Sequence, residues 1–189
     1  MWLSMKKPKL LLLDSDVVIA CYELGVWESL KAKYAVHVTS IVATVEVQFA
    51  KTPTGSVRID LNGQIARGEI TMVEATASEM AGVTNQFSNS FAQGLDDGET
   101  EGLAVISKAE QMDCKFCTGD TNGMQAVGML ALDSQSISLE EVLNFGGIRL
   151  NSPLKLAPHF SQRNREFQVK TGSGRRITGE CFKKPPLDL

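Results

Sequence analysis

One block of the hydrophobic pattern organises the rest: Leu10-Leu11-Leu12-Leu13 stops at Asp14-Ser15-Asp16, and an apolar run resumes at Val17-Val18-Ile19. Such a block reads as a buried strand whose far end meets solvent. Asp14 then stands at the carboxyl end of a strand, where open α/β sheets bind ligands, and Ser15 or Asp16 caps the next helix. Taken alone, Asp14 fits a cap, a nucleophile or a metal ligand. The pattern repeats along the chain. It predicts a helix from Ser15 to about Tyr34 interrupted at Gly25, a strand at Ala35-Val36-His37-Val38, and a helix from Ile41 to about Ala50 that carries Glu46. Lys51 to Gly55 is a breaker, and Val57 to Gly68 fits a hairpin at Asn62-Gly63 or a short helix. Ile70–Val73 is a third strand and Ser78 to about Gln93 a weak helix. Leu95-Asp96-Asp97-Gly98-Glu99-Thr100-Glu101 opens a strong helix through Gln111, and Lys115–Thr118 is a fourth strand closing at Gly119-Asp120. A helix from Asn122 to Leu132 and a capping box at Ser138–Glu141 follow. Strands alternating with helices predict an α/β fold around a parallel sheet.

Composition changes the picture in two places. At 189 residues with 43% hydrophobic and 22% charged, the chain is sized for one domain with its own core. It has no apolar run long enough for a bilayer, and Met1 to Lys7 is too short and broken for a signal peptide, so no membrane partner and a cytoplasmic location are expected. Cys114 and Cys117 form a CxxC without a second pair or a nearby His pair, which favours free thiols over zinc. The net charge of −3 hides an asymmetry: residues 1–150 carry −8 and residues 151–189 carry +5. An acidic body calls for a cation and a basic tail for a polyanion. The division expected is a domain over 1–150 and a basic, loosely packed extension over 151–189.

The acids can meet. Asp14 and Asp120 both close strands at the carboxyl edge, and the helix opening near Asp97 starts from that edge. Glu99 shares a stripe with Leu103 and Ile106, whereas Glu101 lies roughly 200° away with Val105 and Lys108. Glu46 sits on a helix face with Val42, Ala43 and Phe49, where an unpaired carboxylate would cost several kcal/mol. Asp14, Glu46, Glu99 and Asp120 at one edge would take up protons unless a divalent cation compensated them. Ligands that are all oxygen suit Mg²⁺ or Mn²⁺.

These residues resemble the PIN domain, a family of metal-dependent ribonucleases that includes the toxins of many toxin–antitoxin pairs. Leu12-Leu13-Asp14-Ser15-Asp16-Val17-Val18-Ile19 is similar to the family's first acidic strand end. Tyr34–Ser40 leading to Val45-Glu46-Val47 is similar to its second strand and following helix Glu, Leu95–Ala104 to its third acidic element, and Thr118-Gly119-Asp120 to its closing strand end. The resemblance runs from Leu10 to Leu132. It implies a three-layer α/β/α sandwich around a parallel sheet of four or five strands. It also implies hydrolysis of RNA phosphodiester bonds with Mg²⁺ or Mn²⁺ held by Asp14, Glu46, Glu99 and Asp120, with Asp16 and Glu101 as further candidate ligands. An antitoxin protein and a homodimer are its implied partners; Leu24, Trp27 and Leu30 would serve either that surface or the core. Asp16 departs from the neutral residue usual in the family, and no second acid follows Asp120. A haloacid-dehalogenase-type phosphatase, with Asp14 as nucleophile and Asp16 as acid/base, fits the first motif but leaves Glu46 and Glu99 without roles. A non-catalytic PIN-like module binding RNA or protein is the third reading. Phosphate contacts would come from Arg163, Arg165, Lys170, Arg175 and Arg176, while Phe160, Phe167 and Ile177 offer the tail a docking face instead.

Overall fold

The computed structural model describes residues 10–108, 113–151 and 153–183. Leu10–Leu13 forms β1, with Leu11, Leu12 and Leu13 wholly buried. Asp14 caps α1 (Ser15–Glu23), and Gly25, at φ 67° where a Cβ is disfavoured, turns the chain into α2 (Trp27–Lys31). β2 is Val36–Thr39. The helix predicted from Ile41 to about Ala50 is not there. One wide π-helical turn, Val42–Glu46, is followed by an antiparallel hairpin of β3 (Phe49–Thr52) and β4 (Gly55–Arg58). Val42, Val45 and Val47 explain the difference, because β-branched side chains lose rotamer freedom in a helix and gain packing in extended chain. Asn62-Gly63, one of two readings, lies in α3 (Leu61–Ala66), where the Asp60 carboxylate accepts the Gly63 N–H at 2.9 Å. β5 is Thr71–Val73. The weak helix predicted over Ser78–Gln93 is two helices, α4 (Ala77–Thr84) and α5 (Asn89–Ala92), because Ser88 caps a new start beside the fully buried Phe87. α6 (Asp97–Lys108), β6 (Cys114–Cys117), α7 (Thr121–Met129), α8 (Leu139–Gly146) and α9 (Gln162–Thr178) complete the order. The predicted continuation of α6 to Gln111 lies outside the described residues.

The sheet order is β5-β2-β1-β6, every neighbour parallel, with Leu11 opposite Val36 and Leu12 opposite Phe116. From β1 the chain steps outward through β2 to β5, then returns to β6 on the other side of β1. The carboxyl ends of β1 and β6 therefore flank the topological switch point, where open α/β sheets leave a crevice. Helices cover both faces, giving the three layers of an α/β/α arrangement. Leu11, Leu13, Val36 and Val38 pack against α1, α2, α3 and α8. Leu12, Cys114 and Phe116 pack against α4 through α7 and α9. Leu24, Trp27 and Leu30 belong to the first core, so they offer no partner surface. Cys114 and Cys117, three apart on a strand, point to opposite faces and join different cores, which is why their CxxC forms no pair.

The C-terminal segment is the largest correction. In place of a loosely packed extension, α9 is a 17-residue helix laid against α7. A Cβ at Gly172 would collide with the carbonyl of Gln125, and one at Gly128 with the carbonyl of Val169, so the two backbones touch. Gly172 is what allows the close approach. Val169 is buried in the core, and Arg165 clamps Glu141 of α8 at 2.8 Å. No helix among the described residues is long and apolar enough to cross a membrane.

Candidate metal centre

Asp14 is buried and serves first as the cap of α1, its Oδ1 accepting the Ser15 N–H at 2.8 Å. Burial, followed by the charge of Asp16, holds its carboxyl well above the usual range, against the Thr118 hydroxyl and the Ser15 N–H. Asp120 sits across the switch point as the cap of α7. Its Oδ1 accepts the N–H groups of Asn122 at 2.6 Å and Gly123 at 3.2 Å, while its side chain stays exposed to solvent. Asp16 reaches from the first turn of α1 to the end of β6, its Oδ2 accepting the Gly119 N–H at 3.0 Å. Burial first, then Asp120 and Asp96, push it up to about 6.

Glu46 is delivered by the π turn. Single turns of that kind recur at functional sites, and this one aims the side chain at the start of α6, where Oε1 accepts the Gly98 N–H at 3.1 Å. Of the expected neighbours of Glu46, Val42 and Ala43 are buried, whereas Phe49 stands exposed on the hairpin. Burial and the Asp96 charge raise the Glu46 carboxyl. Glu99 is 2% exposed and half of a reciprocal cap: its N–H donates to Asp96 Oδ1 at 2.7 Å, and its Oε2 accepts the Asp96 N–H at 3.2 Å. Burial, then the charges of Asp14, Asp120 and Asp96, push it up to about 10.

Glu101 has a different task. It is as buried as Glu99, contrary to its expected face with Val105 and Lys108, but its oxygens are taken. Oε1 accepts Ser40 Oγ at 2.7 Å and the Ala75 N–H at 3.3 Å, and Oε2 accepts the Ile41 N–H at 2.9 Å. It ties α6 to the ends of β2 and β5, and the structure does not turn it toward a ligand.

Among the described residues three buried side-chain oxygens have no hydrogen-bond partner: Asp16 Oδ1, Glu46 Oε2 and Glu99 Oε1. All three belong to acids that, like Asp14, have Asp96 as a charged neighbour. Leaving such atoms dry costs about 1–3 kcal/mol each and more when charged, so each marks a place for a cation or a proton. Three glycines make room for them. A Cβ would run into Glu46 at Gly98, into Asp16 at Gly119 and, at 2.6 Å, into Glu99 Oε1 at Gly123. The sequence signal for these glycines was their place beside the acids, and sequence reasoning passed over it. Asp96, which is not among the candidate ligands, acts with its charge on Asp14, Asp16, Glu46 and Glu99.

Carboxylate oxygens are the ligand type that hard divalent ions take. Among the described residues no three or more acids, thiols or imidazoles are drawn together into a group that could hold a metal ion directly. Mg²⁺ keeps several of its waters, so carboxylates can hold it through water as well. Without an ion, the raised carboxyls make the folded chain bind more protons than the unfolded one. Stability then falls as pH rises, from the ordinary 3.8 toward about 6 for Asp16 and from 4.5 toward about 10 for Glu99. In EDTA the Tm is expected to drop by several degrees between about pH 5 and about pH 8. Mn²⁺ should flatten that slope at the alkaline end; parallel melting curves with and without Mn²⁺ would contradict the assignment.

The chain is thus an α/β protein with a four-stranded parallel sheet and buried acids near its switch point. No protein-family model, curated protein or solved structure matches the chain.

Proposed function

We propose that this chain is a metal-dependent ribonuclease of the PIN type, with Mg²⁺ or Mn²⁺ held by Asp14, Glu46, Glu99 and Asp120. The observation that carries the reading is the set of unpartnered buried oxygens on Asp16, Glu46 and Glu99, which share Asp96 as a charged neighbour with the strand-end Asp14. Asp16 is proposed as a fifth contact, direct or through water, and Glu101 is dropped from the ligand set because backbone and hydroxyl donors occupy it.

A divalent ion so held would lower the pKa of a water and offset the charge that builds on the scissile phosphate. The chain's own residues do the rest. Ser15 N–H and Thr118 fix the Asp14 carboxylate, and the Gly98 N–H at the start of α6 fixes Glu46. Asp120 is exposed and commits one oxygen to capping α7, which leaves its other oxygen for a ligand or water. Phosphatase chemistry at Asp14 is less well supported. Its carboxyl is 3% exposed, and the Asp16 required as acid/base is tied to Gly119.

The test is a cleavage assay on mixed single-stranded RNA and on a small phosphomonoester, each with Mg²⁺, Mn²⁺ or EDTA. RNA cuts that need the metal are expected, with no phosphate released from the monoester. Release from the monoester alone would replace the nuclease with the phosphatase, and silence on both would leave a binding module.

A further inference from the structure

The fate of the five basic residues once grouped as a phosphate grip differs residue by residue. Arg165 is bidentate on Glu141, at 2.8 and 3.2 Å, and Arg175 donates to Gln125 and lies 5.8 Å over the Phe91 ring. Those two hold the fold together. Arg163, Lys170 and Arg176 are exposed and have no ion pair among the described residues. Arg163 and Lys170 share the outer face of α9 with Phe167 at helical spacing, and Phe167 is 65% exposed.

Beside that face lies a cleft of about 680 Å³ lined by Pro158, His159, Ser161, Arg163, Asn164 and Phe167. Its volume is that of a small-ligand site, roughly 300–1,000 Å³. Its lining holds two aromatic rings, a guanidinium and an amide, but no carboxylate; the nearest acid in the helix, Glu166, accepts from Gln162 at 2.7 Å and pairs with Arg165 at 3.7 Å. The cleft connects to the acid cluster through two rings: His159 and Phe160 lie 4.0 Å apart, tilted by 46°, and the Phe160 ring edge covers Gly119, whose N–H holds Asp16.

We infer that this cleft is a nucleotide subsite for single-stranded RNA, where one unpaired base stacks on Phe167 or His159 and its phosphate meets Arg163. The inference rests on the nuclease reading for the identity of the strand. Base faces are free for stacking only when the strand is single, and aromatic platforms flanked by cations are how such strands are held. The competing platform, Phe49 on the hairpin, borders a smaller pocket of about 300 Å³ that contains the Asp60 carboxylate beside Arg58. An acid there opposes a phosphate.

The test is binding of a short, labelled, mixed-sequence RNA to the full chain by fluorescence anisotropy, in EDTA so that no strand is cut. Phe167→Ala is expected to weaken binding by about 5- to 100-fold, the worth of one base–aromatic stack. Arg163→Ala should lower the slope of log affinity against log salt by about 0.7, one phosphate contact on a single strand. Both side chains are exposed, so melting temperatures should not move, and Phe49→Ala should bind as wild type does. Wild-type affinity in both cleft variants overturns the subsite, as does loss of affinity confined to Phe49→Ala or failure of the wild type to bind. Cleavage and binding fail separately. RNA bound through the cleft but never cut with Mn²⁺ keeps the subsite and removes the nuclease; metal-dependent cutting with normal binding by the cleft variants does the reverse.

Discussion

Glu99→Gln is expected to reduce metal-dependent RNA cleavage by about 10²- to 10³-fold or more while making the protein more stable in EDTA. The two effects share one cause. Glu99 is 2% exposed, one of its oxygens has no partner, and its carboxyl is pushed up to about 10. Near neutral pH the folded chain must therefore take up a proton that the unfolded chain, with an ordinary carboxyl, does not hold. An amide removes that cost, so a gain of about 1–3 kcal/mol near pH 7 is expected, or roughly 2–12 °C in Tm. The gain should vanish near the ordinary carboxylate pKa, where both states are protonated. A stabilisation that is flat with pH, or a variant that still cuts RNA at the wild-type rate, would remove Glu99 from the site. Glu101→Gln is the matched control. It loses an acceptor for Ser40, Ile41 or Ala75, so it should melt lower at every pH and keep whatever response to Mn²⁺ the wild type has.

Gly172→Val is expected to destabilise the fold by about 3 kcal/mol or more, a drop of roughly 6–12 °C in Tm. Its Cβ would enter the carbonyl of Gln125, which is backbone and cannot rotate away as a side chain would. The only relief is to lift α9 from α7, which uncovers Val169 and the core around Met124 and Val127. For the same reason, cutting the chain at Asn151 should yield an unfolded product, so the RNA contribution of this segment has to be tested with point substitutions. Thermal melts followed by circular dichroism check both outcomes. A Gly172→Val protein melting within a degree or two of wild type would mean that the helices do not touch as described.

How much of the site could be read in the sequence depended on how local its causes were. Asp14 and Asp120 were legible because each ends an apolar strand and caps the helix that follows, all within a few residues. Asp16 was named as a cap and a further candidate ligand, but its bond to Gly119 joins residues more than a hundred positions apart and has no local signal. Glu46 was assigned to a helix where the structure has one wide turn and a hairpin, which compete closely with a helix when valines recur.

Two acids in α6 mark the boundary most clearly. Helical spacing separates Glu99 from Glu101 by about 200°, which rightly set Glu99 on the face with Leu103 and Ile106. Spacing could not say that Glu101 would be buried as well, because its donors come from the ends of β2 and β5. Hydrophobic period and local capping are enough for the strand–helix alternation, the parallel sheet and the strand-end acids. The tertiary structure alone decided which buried carboxylate oxygens remain unpaired, and that α9 is part of the core. Both depend on what distant backbone comes to lie beside a side chain, and no local pattern carries that information.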